Sequence, residues 1–308
     1  MDAPEPRVWL NYSQQELDDA YDQQKHASNI PQVQARRREA NARSRQSHGS
    51  PRRLRYGPTG METIDLYLCG RGAAPTNLYV HGGAWRNNTA ADYAFLSDLY
   101  LGLGANCAFI DFDNVVETGG SLLVMHEQIE RAIAWLWRHA AELGLDADSF
   151  YLTGQSSGAH LAACALCNSL RREEVPQDLF KGAMLISGMY ELLPVSLSKR
   201  ASYVNFDAQT IERLSPLRHL ASLHTPLVMA YGTEESPEFI RQSQEFHQAV
   251  LAAGKPATLD VAAGYNHFEM VEGLWNPHGN LGRLMAQQMF PQTTAFLPAA
   301  GAASSPRA

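Results

Sequence analysis

The chain has 308 residues, 45% of them hydrophobic and 19% charged, with a formal net charge of −7. That length suits one large α/β domain with tails, or two modest domains, and the single domain is expected. No apolar run approaches the roughly 20 residues of a membrane span, and the acidic balance disfavours a phosphate backbone, so neither a membrane nor a nucleic acid is expected as partner.

The leading segment MDAPEPRVWLNYSQQELDDAYDQQKH is neither a basic-then-apolar secretory leader nor an acid-poor transit peptide, which makes the cytoplasm the expected location. Residues 13 to about 45 are polar and nearly free of Gly and Pro. They read as one or two surface helices, an arm or cap ending near residue 55. The basic run RRREANARSRQSHGSPRRLR at 36–55 has no interleaved aromatic before Tyr56 and reads as solvated rather than as a nucleic-acid patch.

From Thr63 onward short apolar runs of strand length alternate with helical segments: IDLYLC (64–69), NLYVH (77–81), CAFIDF (106–111), FYLTG (150–154), AMLIS (183–187), PLVMAY (226–231) and ATLDVA (257–262). The clearest helix is 121–144, where Leu122, Met125, Ile129, Ile133, Leu136 and His139 share one face. This alternation predicts an α/β fold at 56–290, a mostly parallel sheet with helices on both faces and ligands beyond the carboxyl ends of its strands. The first two runs, separated only by GRGAAPT, are expected to form an antiparallel hairpin at the sheet edge. Residues 291–308 are rich in Pro, Ala and Ser and are expected to be a disordered tail.

Cys69, Cys107, Cys164 and Cys167 lie in apolar surroundings, as reduced thiols would. His160, Cys164 and Cys167 fall on one helix face, which raises a metal site. No second CxxC or HxxxH accompanies them, so small buried core residues are the better reading and no metal is expected.

Between the run FYLTG and the helical SSGAHLAACALCNSL stands Gly154-Gln155-Ser156-Ser157-Gly158. Gly-x-Ser-x-Gly arises by chance with a probability of roughly 0.1 in such a chain, but strand-to-helix placement is what a nucleophile elbow requires. Backbone segments pass close to so sharp a turn, which gives Gly154 and Gly158 a steric reason to be glycine. A serine hydroxyl needs a base, and of eleven histidines His267 fits best, following the last strand-like run and preceding the last helix. His224 precedes its strand and His278 lies further out. An acid to orient the imidazole is expected after PLVMAY, where Glu234 and Glu235 both stand. An oxyanion hole must come from another strand end, and Tyr79-Val80-His81-Gly82-Gly83-Ala84-Trp85 supplies a glycine-rich loop to be joined by the N–H of Ser157. His81 is expected to hold that loop rather than transfer protons.

The segments RYGPTGMETIDLY, YVHGGAWR, YLTGQSSGAHLAA, SPEFIRQSQEF and GYNHFEMVE together resemble the kynurenine formamidase (arylformamidase) branch of the α/β-hydrolases, near the hormone-sensitive-lipase-like esterases. The likeness covers about residues 55–290, and the N-terminal segment is similar to that family's leading helices. By matched position it implies Ser156 as nucleophile, His267 as base, Glu235 as acid, and Gly83, Ala84 and Ser157 as oxyanion donors. Two departures stand out: the family's usual aspartate before SPEF is Glu235 here, and the residue after the nucleophile, often alanine, is Ser157. The resemblance implies a cofactor-free serine hydrolase cleaving an aryl formamide such as N-formylkynurenine, with Trp85 as an aromatic pocket wall or, equally, a core residue. A carboxylesterase, an amidase or carbamate hydrolase, and a non-catalytic receptor on the same scaffold are the alternatives, and a homodimer stays open.

Overall fold

The computed structural model describes residues 6–168 and 174–291. The expected disordered tail lies outside them, apart from Pro291. The arm comprises α1 (Gln14–Ala20), a 3-10 turn (Gln23–His26) and α2 (Ile30–His48). Strands β1 (Arg52–Arg55), β2 (Thr63–Tyr67) and β3 (Thr76–Val80) follow, then α3 (Ser97–Leu103), β4 (Asn106–Ile110), α4 (Leu122–Arg138) and α5 (Ala140–Leu143). Next come β5 (Phe150–Gln155), α6 (Ser157–Cys167), β6 (Phe180–Ile186), α7 (Leu192–Ser196) and α8 (Ala208–Arg213). The last are β7 (Leu227–Gly232), α9 (Pro237–Ala252), β8 (Ala257–Ala262), α10 (Met270–Trp275) and α11 (Asn280–Met289).

The strands form one sheet in the order β1-β2-β4-β3-β5-β6-β7-β8. From β4 to β8 every neighbouring pair is parallel, while β2 is antiparallel to both β1 and β4. Successive residues in a strand face opposite sides, and the two cores divide accordingly. Leu78, Val80, Ala108, Ile110, Leu152, Leu185 and Met229 pack with α4, α6 and α9. Tyr79, Phe109, Tyr151, Met184, Ile186, Val228 and Ala230 pack with α3, α10 and α11. Burial on both faces explains why the central strands read as continuous apolar runs rather than alternating ones. In α4, Leu122, Met125, Ile129, Ile133 and Leu136 are all buried, the face expected from their spacing. His139 instead caps the helix end, its ring stacked on Trp135.

Two expectations about the leading edge are corrected. The runs at 64–69 and 77–81 do not form a hairpin, because β4 lies between them. The Asn106 amide holds this arrangement: its Oδ1 accepts the Cys69 N–H at 3.0 Å and its Nδ2 donates to Thr76 Oγ1 at 3.3 Å, linking the ends of β2 and β3 across β4. The sheet also starts before residue 56, the expected domain boundary, because Arg52–Arg55 pairs with β2 as an edge strand. Its arginines blunted the hydrophobic signal, and charged side chains are how edge strands avoid pairing with other chains.

The arm is docked rather than loose. Leu17, Tyr21, Val33 and Ala40 are each at most 1% exposed, and Ser13 and Glu16 form a capping box at the start of α1. Tyr21 donates its hydroxyl to Glu238 at 2.9 Å. Among the described residues no helix is long and apolar enough to cross a membrane.

Candidate active site

Ser156 ends β5 and opens α6 with φ 57° and ψ −124°, a strained conformation for a residue with a Cβ. Its neighbours leave no room to be anything but glycine. A Cβ on Gly154 would lie 2.5 Å from the Gly158 carbonyl oxygen, and one on Gly158 would lie 2.1 Å from that of Val80. Both obstructions are backbone, so the turn can be this tight only with glycine at these two places. The Ser156 N–H donates to the Ile186 carbonyl at 2.8 Å, which ties the strained residue to the neighbouring strand.

The hydroxyl of Ser156 lies 2.8 Å from His267 Nε2, and His267 Nδ1 lies 2.7 Å from Glu235 Oε2. All three residues are buried. A carboxylate can only accept, so Nδ1 carries the proton and Nε2 is left to accept from the serine hydroxyl. His267 sits on the loop between β8 and α10, with the edge of its ring against Phe239 at 4.9 Å. Glu235 follows β7. The two loops approach across Gly232, where a Cβ would lie 2.1 Å from the Tyr265 carbonyl oxygen. The chain turns here, the Glu235 N–H donating to the Gly232 carbonyl at 3.1 Å, and Glu234 and Glu235 part company: Glu234 is exposed while Glu235 is buried. The second carboxylate oxygen of Glu235 accepts from Ser187 Oγ at 2.5 Å and from the Gly232 N–H at 2.8 Å.

The loop after β3 runs through three residues of positive φ, Gly83 at 132°, Ala84 at 54° and Trp85 at 61°. Among the described residues no acceptor takes the N–H of Gly83, Ala84 or Ser157. The Trp85 N–H donates to Ser157 Oγ at 3.1 Å, so the side chain after Ser156 tethers this loop, a role alanine could not fill. Trp85 itself is 2% exposed. Its indole N–H donates to His160 Nδ1 at 3.3 Å and the Arg200 guanidinium lies over its ring. It packs between α6 and the segment carrying α7 and α8, and lines a cavity of only about 10 Å³ with Phe112 and Ser157.

His81 is buried against Phe112, the rings stacked at 4.4 Å and 9°. Its Nδ1 donates to the Gly82 carbonyl at 2.9 Å. Burial pushes its pKa down to about 4, and burial pushes that of the nearby Asp111 up to about 6. The two groups, 3.8 Å apart, therefore do not meet as an ion pair, and a neutral His81 suits a residue that holds the loop. Burial also drops His160 to about 4. Its ring nitrogens are engaged by the Trp85 indole and the Leu214 carbonyl, and among the described residues no group of His, Cys, Asp and Glu could hold a metal ion. A separate cavity of about 310 Å³ opens where β6 and β7 begin, the opposite sheet edge, and holds none of these groups.

The comparisons with known proteins point the same way as the geometry. The family model described as BD-FAE matches residues 64–182, the stretch from β2 to β6. The chain is 28% identical over 245 residues to the kynurenine formamidase of Danio rerio, a match covering 76% of this chain and 80% of the relative. The Salmo salar kynurenine formamidase is likewise 28% identical, with the same shares covered. The chain is therefore similar to the kynurenine formamidase-like branch of the α/β-hydrolases. A probable isoprenylcysteine alpha-carbonyl methylesterase of Arabidopsis thaliana is 25% identical over 71% of this chain and 51% of its own length. The solved esterase LipW from Mycobacterium marinum shares the fold, with a TM-score of 0.66 at 17% identity, covering 89% of this chain and 91% of its own. This α/β-hydrolase is an enzyme of the serine hydrolase type.

The sequence had not pointed to Ser187, Gln23, Asn29 or Asn266, all of which touch Glu235 or the residues flanking Glu235 and His267. Ser187 is the last residue of the strand-like run AMLIS, with no motif around it. Gln23 and Asn29 stand more than 200 residues away from their partners, so nothing local marks them.

Proposed function

We propose that this serine hydrolase cleaves aryl formamides of the N-formylkynurenine kind, through an acyl-enzyme on Ser156. Ser156 Oγ attacks the carbonyl carbon while His267 Nε2 takes its proton. Glu235 holds the Nδ1–H tautomer and stabilises the imidazolium. The oxyanion forms against the N–H groups of Gly83, Ala84 and Ser157, which have no competing acceptor among the described residues. His267 then returns the proton to the leaving amine, and water repeats the sequence on the formyl ester to release formate.

The observation that carries the reading is the continuous run of bonds from Ser156 through His267 to Glu235, at 2.8 and 2.7 Å. The aryl formamide is supported by the two fish kynurenine formamidases. A carboxylesterase is the second reading, supported by the methylesterase relatives. In a panel of N-formylkynurenine, formanilide, aryl carbamates and short p-nitrophenyl esters, the formamides are expected to give the highest kcat/KM. A preference of tenfold or more for the esters would select the second reading. The four cysteines, none of them in a disulfide among the described residues, support a reducing, cytoplasmic setting.

A further inference from the structure

One short stretch of the arm reaches both loops that carry the proposed acid and base. Gln23 grips Ser236, the residue after Glu235, at two points: its Nε2 donates to Ser236 Oγ at 2.8 Å and its Oε1 accepts the Ser236 N–H at 3.2 Å. Ser236 Oγ in turn donates to the Ala20 carbonyl at 2.6 Å. Six residues on, Asn29 grips the other loop. Its Oδ1 accepts from Asn266 Nδ2 at 2.8 Å and its Nδ2 donates to Glu269 Oε1 at 2.7 Å. Asn266 is the residue before His267, and its own Oδ1 accepts the N–H groups of Phe268 and Glu269. Further along α2, the Arg37 guanidinium donates to the Phe268 carbonyl, and Arg36 makes a two-pronged pair with Glu272.

We propose that Gln23 and Asn29 are positioning residues for the hydrolytic reaction, and that the arm sets the spacing of Glu235 and His267. The inference rests on those two residues acting as acid and base. The physical case is the mismatch between what the hydrolase core supplies and what the site needs. The acid and base stand on separate loops, and a displacement of about 1 Å in a catalytic constellation is enough to cost about a hundredfold in rate. The core joins the loops through contacts on one side, among them the Glu234 N–H to the Tyr265 carbonyl at 3.0 Å and the Gly264 N–H to Thr233 Oγ1 at 2.9 Å. Those contacts hold the chain just before Glu235, and leave the Ser236 hydroxyl after it and the Asn266 side-chain amide N–H before His267 to be engaged from elsewhere. The arm engages them: Gln23, Ser236 and Asn266 are buried, at 6% exposure or less, and Asn29 is partly buried. In this arrangement the arm braces the loops that carry Glu235 and His267.

The test uses the full-length protein and two independent variants, Gln23→Met and Asn29→Ala, which leave the arm's apolar anchors Leu17 and Tyr21 in place. A fluorophosphonate that phosphonylates activated serines reports both the fraction of competent sites and the rate at each. Both variants are expected to label to full amplitude, about tenfold or more slowly than the parent, with kcat on a p-nitrophenyl ester falling in parallel and KM within about twofold. Gln23→Glu keeps the acceptor for the Ser236 N–H and is expected to be intermediate. Gln15→Ala, which alters an exposed arm residue that bonds only within α1, is expected to behave as the parent. Parental labelling rates in both variants would overturn the proposal, as would a loss of amplitude with the surviving sites reacting at the parental rate, the mark of a merely structural role. Failure of the parent to label at Ser156 would instead sink the serine hydrolase mechanism beneath it.

Discussion

Ser187 holds the carboxylate of Glu235 from the side opposite His267, its Oγ 2.5 Å from Oε1 while Oε2 faces the imidazole. Its backbone is in the left-handed region, φ 54°, which is costly for a residue with a side chain. Removing the hydroxyl frees one carboxylate oxygen to rotate, so Ser187→Ala is expected to lower kcat/KM by about 10- to 100-fold, the range of one charge-assisted hydrogen bond. Ser187→Gly separates function from stability: it relieves the backbone strain, so its melting temperature should match or exceed that of Ser187→Ala while its activity stays equally low. Near-parental kcat/KM in both would show that the Gly232 N–H alone suffices to orient the acid.

The neighbouring carboxylates give the sharpest contrast. Glu235 is buried with both oxygens engaged, whereas Glu234 is exposed and contributes its backbone N–H. Glu235→Gln is expected to reduce kcat by about 10⁴, as the amide does to a triad carboxylate, because it can no longer fix the histidine tautomer. Glu234→Gln should change kcat by less than about twofold. Steady-state rates on one ester substrate decide it, and a severe loss confined to Glu234→Gln would reverse the assignment.

Ser156→Ala should abolish turnover to below about one part in a hundred of the parent, given the several orders of magnitude that triad deletions cost. The fold should persist, because the alanine keeps the same strained φ and loses only the hydroxyl. Ser156→Gly should be equally inactive but more stable, by about 1 kcal/mol, since glycine occupies positive φ without the steric cost. Denaturant midpoints of the two variants measure the strain directly. Activity surviving in both would indicate a different nucleophile.

The parts of the site that were legible in the sequence are those where chemistry and chain direction coincide. Gly154 and Gly158 flank the serine because backbone crowds the turn, and the strand-to-helix change around them could be read from hydrophobic pattern. His267 was marked by its place after the last strand. The choice between Glu234 and Glu235 needed the resemblance, and Ser187 left no trace at all, because its role depends on β6 lying beside β7. The arm's two helices were legible, but the way they dock was not: its buried residues Leu17, Tyr21, Val33 and Ala40 are few and widely spaced among polar ones. β1 was missed for a related reason, three of its four residues being arginine.

Stability should fall steeply below neutral pH. His81, His126 and His160 are buried, and burial lowers their pKa values from 6.5 to about 4, 3 and 4. The unfolded chain thus binds protons at these residues from about pH 6.5 downward while the folded chain refuses them. Stability is fully present above the unfolded value and is lost as pH falls toward the folded ones. Asp111 works against this trend. Burial raises its pKa from 3.8 to about 6, so between those values the folded chain binds the extra proton and gains stability as pH falls. Near pH 5 these four groups leave a difference of about two protons in favour of the unfolded state, or roughly 3 kcal/mol per pH unit. Urea midpoints at pH 7, 6 and 5 are expected to fall progressively. Asp111→Asn, which removes the opposing group, should steepen the fall between pH 6 and 4. His160→Gln should flatten it by about one proton, and it keeps a side-chain donor for the Leu214 carbonyl that His160 Nε2 now serves at 2.8 Å. A midpoint unchanged from pH 7 to 5 in the parent would mean that the buried histidines take up protons as readily in the folded chain as in the unfolded one.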